Sequence, residues 1–252
     1  MILTDHTSHR PFALPEAPWV MHQAWNDFLF MHWAVDPTVV RALVPEPLAL
    51  DLRDGTCWVG VIPFHMTDVR PRGTLNIPGV SNFPELNVRT YVIADGKPGV
   101  YFLSLDAHNR LAVETARLTY DLPYFAAEMA WKRQGETLDY RSKRTDRRGP
   151  AAELRCSYTP QGAYRYAEPG SLEQWLSERY CLHTVSASGA IYTTEVHHLP
   201  WPLRDAKVSL DVNTMGEGHG IGISGAPHVM YSPGVDVVVW TPRRVTGADS
   251  PS

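Results

Sequence analysis

Phe83-Pro84-Glu85-Leu86-Asn87-Val88-Arg89-Thr90-Tyr91-Val92 alternates in character along most of its length. Successive side chains of an extended strand point to opposite faces, so Glu85, Asn87, Arg89 and Tyr91 share one face while Leu86, Val88 and Val92 share the other. One face is polar throughout. On a surface strand the glutamate and arginine would form an exposed pair worth little. Lining the inside of a curled sheet, they would instead furnish a ligand cavity, with Arg89 gripping a carboxylate or enolate and Glu85 moving a proton.

Segments rich in β-branched and aromatic residues surround this strand: Trp25 to Trp33, Thr56 to Asp68, Val100 to Leu105, Ala126 to Arg133, Thr137 to Arg144, Leu154 to Thr159, Tyr180 to Ser186, Ile191 to His198 and Val235 to Trp240. Turn pairs such as Asp95-Gly96, Gln134-Gly135 and Ser188-Gly189 punctuate them, which favours antiparallel hairpins. Three helices have clear start signals. Asp36 precedes Pro37 as cap and first turn, and Pro45 stops that helix. A longer one begins near Asn109, with Leu111, Thr115, Leu118 and Leu122 as a stripe expected to pack on a sheet. Ser171-Leu172-Glu173-Gln174 is a capping box whose helix buries Leu172, Trp175 and Leu176. The class is therefore α+β, a mainly antiparallel curved sheet or barrel with a few outer helices.

The chain of 252 residues carries no internal linker or repeat and reads as one domain, 1–252, with an extended arm over 1–20 and a flexible tail over 243–252. A net charge of -4 excludes the basic footprint of a general nucleic-acid binder, and the cluster from Arg141 to Arg148 reads as a solvated hairpin. Three scattered cysteines, Cys57, Cys156 and Cys181, fit neither a disulfide framework nor a zinc pattern and point to a reducing compartment. No apolar run is long enough to span a membrane, and no signal segment opens the chain, so a cytoplasmic location is expected.

Other chemistry-bearing candidates are weaker. Asp106 and Asn109 lie where a strand runs into a helix, which suits either an anion site or simple capping. Trp33, His65 and Tyr91 are candidates for an aromatic pocket. The adjacent His197 and His198 face opposite sides of a strand, so a metal is not expected. Gly216 to Gly222 lacks the strand-helix frame of a dinucleotide fingerprint; it reads as a turn region or a lid, and no cofactor is implied.

Several segments together resemble the YqjF-like proteins, an uncharacterised bacterial family of the acetoacetate-decarboxylase-like superfamily. They are Asp36-Pro37 with Pro45-Glu46-Pro47-Leu48, the strand from Phe83 to Val92, Ala116 to Tyr124, Glu178-Arg179-Tyr180-Cys181-Leu182 and His198-Leu199-Pro200-Trp201-Pro202. The resemblance implies a curved antiparallel barrel with a central cavity. It also implies, for the superfamily's decarboxylases, a Schiff-base lysine after the strand from Gly99 to Ala107, where this chain has none. The four lysines, Lys97, Lys132, Lys143 and Lys207, all read as solvent-facing. Two functions fit: a lyase-, dehydratase-, isomerase- or cyclase-type enzyme acting on a small carbonyl or carboxylate compound through Glu85, Arg89 and Asp106, with Asn87 in support, or a non-catalytic small-molecule binding protein. A homodimer is compatible with either.

Overall fold

A computed structural model describes residues 2–76 and 81–245. In chain order β1 (Met21–Val35), the short helix α1 (Pro37–Arg41), β2 (Ala49–Leu50), β3 (Cys57–Pro71), β4 (Phe83–Ala94) and β5 (Lys97–Ala107) come first. Helix α2 (Arg110–Tyr120) leads into β6 (Tyr124–Gln134), β7 (Thr137–Arg144) and β8 (Glu153–Arg165). The chain continues through α3 (Leu172–Ser177), β9 (Cys181–Val185), β10 (Ile191–His197), β11 (Leu203–Asn213), β12 (His228–Val239) and β13 (Arg243–Arg244). The fold is the curved, mainly antiparallel sheet expected. All three helix caps form as read: the side chains of Asp36, Asn109 and Ser171 each accept hydrogen bonds from backbone amides of the following turn.

The strands close into a ring. β1, β3, β4 and β5 pair in turn; β5 meets β9 in parallel at Val100 and Leu182; β9 pairs with β10, β10 with β12, and β12 returns to β1. A second path leaves β5 through the parallel pair Leu105 and Tyr124 and runs through β6, β7, β8 and β11 back to β12. The two parallel contacts at β5 depart from the antiparallel pattern that the hairpins implied. They branch the sheet at β5, so that the two rings share the strands from β12 through β1, β3 and β4 to β5.

Strands β12, β1, β3, β4 and β5 thus form a wall with a core on each side. Leu29, Met31, Val59, Val61, Leu86 and Val88 enter one core with Leu138, Tyr140, Leu154 and Tyr158. Phe28, Phe30, Ile62, Phe64, Phe83 and Tyr91 enter the other with Leu176 and Trp201. The period-two alternation of the sequence is what divides them.

Closing such a ring needs local kinks. The β1–β3 register shifts between Asn26 and Met31, and Asp27 there has φ 49°. Gly234 lies opposite Asn26 with φ +133°, and a Cβ at that position would sit 2.2 Å from the carbonyl oxygen of Trp25. Gly234→Ala should therefore cost at least about 1–3 kcal/mol, read as a lowered denaturant midpoint with unchanged slope. A midpoint equal to that of the parent would show that the kink relaxes freely.

Several peripheral expectations change. The N-terminal arm is docked: Arg10 is buried, ion-paired to Glu195 at 3.1 Å, and Ala17 accepts a hydrogen bond from the Trp240 indole. Arg243 and Arg244, assigned to the tail, form β13 against β10, and residues 246–252 of that tail lie outside the described residues. In the basic cluster Arg144 is not solvated but buried. The stripe on α2 does not pack as expected, since Leu111 and Leu118 are exposed and Val113 is the side chain it buries. A helix laid across an opening rather than on a sheet has no core for those leucines to enter.

Candidate functional site

Because β4 alternates, Glu85, Asn87 and Arg89 project together into the ring of seven strands, where they line a cavity of about 410 Å³. Buried aromatic walls enclose it, chiefly Phe28, Phe64, Phe83 and Trp201, with Phe102 beside them. Exposed Leu75 and Leu111 with Thr115 of α2 mark its mouth, and the buried Arg89, Ser177, Arg179 and Thr194 its floor. Such a volume and mostly apolar lining, with a few polar groups, is typical of small-molecule sites.

Glu85 is 2% exposed and has no cationic partner among the described residues. Its Oε2 accepts a hydrogen bond of 2.8 Å from the hydroxyl of Tyr124, the first residue of β6. Burial pushes its pKa up to about 8, and the charge of Asp106 adds to the rise, while the Tyr124 hydrogen bond opposes it. Desolvation wins, so at neutral pH Glu85 is largely protonated. Tyr124, equally enclosed, is held well above the ordinary phenol range by burial and then by the neighbouring carboxyl.

Arg89 shows the opposite imbalance. It is 7% exposed, and no carboxylate pairs with it among the described residues. Its Nη2 donates to the carbonyl of Leu176 at 3.3 Å, its Nε has no partner, and the rings of Phe28, Phe30 and Tyr91 surround it at 5.6–5.9 Å. Arg179 lies close by, over the rings of Tyr91 and Trp175; it donates to Asp51 at 2.6 Å and to the Trp175 carbonyl, and keeps Nη2 unpartnered. With one carboxylate between two guanidiniums, the floor of the cavity carries a net positive charge. His32 records it: burial first, then Arg89, holds its pKa well below the usual imidazole range. Its Nε2 is 2.7 Å from the Tyr91 hydroxyl, which itself donates to Leu176, so the imidazole donates from Nε2 and leaves Nδ1 as an unused acceptor.

The expected site residues thus divide. Glu85, Asn87 and Arg89 come together; Tyr91 lies behind Arg89, orienting rather than lining. Asp106 does not join them. It faces the opposite core, where Arg144 donates to it at 2.9 Å, and burial raises its pKa to about 6 despite that partner. Trp33 is also in the other core, its indole bonded to the Gly225 carbonyl. His65 lies between Phe64 and Met66, which line the cavity, so it points away and packs against the Trp131 ring, tilted, at 5.0 Å. The glycine-rich segment lies away from this cavity: none of residues 216–222 lines it, Ile221 is buried in that other core and His219 approaches Ser104 at 3.3 Å. Tyr124 and Arg179 were not read as functional, although both lie in stretches that carry the family resemblance.

No lysine lines the cavity. Lys97 pairs with Glu195 at 2.6 Å, and Lys132, Lys143 and Lys207 are exposed. No group of three His, Cys, Asp or Glu side chains among the described residues is placed to hold a metal ion. Cys57, Cys156 and Cys181 are buried and unpaired, and burial raises each thiol. No helix among the described residues is long and apolar enough to cross a membrane.

The ring-closed sheet around this cavity has the fold of the acetoacetate-decarboxylase-like proteins. Solved structures agree: an acetoacetate decarboxylase from Legionella pneumophila superposes with TM-score 0.61 at 14% identity, covering 97% of this chain and 95% of that one. The enduracididine biosynthesis enzyme MppR, in complex with pyruvate, matches with TM-score 0.61 at 11% identity over 93% of each chain. An acetoacetate decarboxylase-like enzyme from Sphingomonas wittichii matches with TM-score 0.60 at 14% identity over 94% of this chain and 98% of that one. The chain belongs to the family DUF2071, described as an uncharacterized conserved protein, whose model matches residues 22–236. The uncharacterized protein YqjF of Bacillus subtilis is 42% identical over 96% of this chain and 99% of its own.

Proposed function

We propose that this protein is an enzyme that binds an organic acid by its carboxylate at Arg89 and moves a proton on a carbonyl or hydroxyl group at Glu85, without an imine intermediate. One observation carries the reading: among the described residues a buried cation without a carboxylate and a buried carboxyl without a cation share one cavity. Each is costly while unpaired, and an acid with a second oxygen function would relieve both. Protonated Glu85 is placed to donate to a carbonyl oxygen or a departing hydroxyl while the Tyr124 hydroxyl holds its other oxygen. The resulting carboxylate then takes a proton from the adjacent carbon, restoring the acid. Dehydration uses this cycle once, isomerisation uses it forward at one carbon and in reverse at another, and cyclisation uses it with the proton taken from the attacking group. The solved relatives support the setting, since MppR is described with pyruvate bound.

The test is a thermal-shift screen of the parent protein, Arg89→Ala and Glu85→Gln against keto and hydroxy acids, with turnover followed by NMR. An acid at a hundred times its Kd should stabilise the parent by about 3 kcal/mol. Arg89→Ala should lose that stabilisation, while Glu85→Gln should keep it and lose turnover. Binding by Glu85→Gln with turnover absent from the parent as well would convert the reading to a non-catalytic binding protein. Stabilisation by no acid, or by the same acids in Arg89→Ala, would sink it.

A further inference from the structure

Resting on that reading, we infer that the substrate is an elongated, amphipathic acid whose reactive oxygen function lies far from its carboxylate, not a short keto acid. Glu85 and Arg89 are four residues apart on one strand, paired to β3 at Phe64 and Gly60 without a shift between them. At the usual rise that places their Cα atoms about 13 Å apart. Strand side chains stand roughly perpendicular to the sheet but lean along it, so the two heads stay apart by a somewhat shorter gap, on the order of 10 Å.

The contacts agree. Arg89 is held by the Leu176 carbonyl and flanked by Tyr91, the next residue on its face in the direction away from Glu85. Glu85 is held by Tyr124, beside the mouth-forming helix α2. An opposite charge within about 4–6 Å would lower a carboxyl pKa. Neither guanidinium is among the influences on Glu85, whereas Asp106 across the wall is. The clamp and the proton donor are therefore two stations, not one.

Between them the wall is apolar except at Asn87. Its Oδ1 is buried and accepts no hydrogen bond among the described residues. A chain lying along β4 would pass it, and a hydroxyl or N–H on the substrate would satisfy it. A strand covers about 3.3 Å for three backbone bonds, so a gap on the order of 10 Å between heads corresponds to roughly nine bonds of extended chain. The 410 Å³ volume accommodates such a molecule and is far larger than a short keto acid requires.

Calorimetry with decanoate, and with decanoates bearing an oxo group at the second or at the ninth carbon, tests this, with pyruvate as the short probe. The parent should prefer the ninth-carbon oxo acid over the other two by about tenfold, the value of one good hydrogen bond in a dry site. That preference should vanish in Glu85→Leu, which removes the donor, and shrink in Tyr124→Phe, which frees the carboxyl from its support, while Arg89→Ala weakens all three long acids alike. Equal or tighter binding of pyruvate or the second-carbon oxo acid, still dependent on Arg89, would overturn the inference and leave the proposed function standing. Binding indifferent to Arg89 would overturn both.

Discussion

Asp106→Ala should destabilise the fold by about 3–5 kcal/mol, the cost of leaving a buried guanidinium without its counter-ion. Arg144 is almost wholly enclosed: it donates to Asp106 through Nε at 2.9 Å, bonds the Pro150 carbonyl at 3.1 Å and stacks on Phe125 at 4.3 Å. In a chain of this size the loss corresponds to a fall in Tm on the order of 10 °C. The double variant Asp106→Ala/Arg144→Met should recover most of it, because removing both charges also removes the desolvation cost. Chemical denaturation of the two variants checks this. A single variant within about 1 kcal/mol of the parent would show that the Asp106–Arg144 pair does not hold the fold together.

The second large effect is the pH dependence contributed by Glu85. Its pKa in the folded protein is about 8, above the ordinary 4.5. The folded protein therefore keeps a proton that the unfolded chain has released across that interval. The associated stability is fully present below about pH 4.5 and is lost as pH rises through about 8. Glu85→Gln, which cannot ionise, should lack this slope and exceed the parent in stability at pH 9 by on the order of 2 kcal/mol or more. Denaturant titrations at pH 5, 7 and 9 measure it. Parallel stability profiles for parent and variant would mean that Glu85 is ionised in the folded state at neutral pH, and with that the proposal that it donates a proton would fall.

The core of this picture was readable where structure is local. The alternation from Phe83 to Val92 placed Glu85, Asn87 and Arg89 on one face and Leu86, Val88 and Val92 on the other, as the two cores show. Cap residues wrote the starts of the helices. β11 escaped notice because Asp205, Lys207 and Asp211 depress strand propensity, although their alternation with Val208 and Leu210 has the right period. Asp106 was misplaced for a reason no pattern reveals. The β4–β5 register skips at Leu103, so Val100 and Phe102 face the cavity, and beyond the bulge the odd residue Leu105 does instead, turning Asp106 outward. Tyr124 and Arg179 reach the site through the pairing of β6 with β5 and through the approach to β9, contacts between residues far apart in sequence.

The wall between the two cores has a consequence for how such a protein can change. On β4 the residues that anchor the fold and the residues that line the cavity occupy alternate positions of the same ten-residue word. Positions 85, 87 and 89 can be rewritten as a set while 86, 88 and 92 stay fixed, and the neighbouring core would register no change of volume. The scaffold therefore separates inheritance of shape from inheritance of chemistry at single-residue spacing. Relatives with the same barrel are free to differ in the groups that line its cavity.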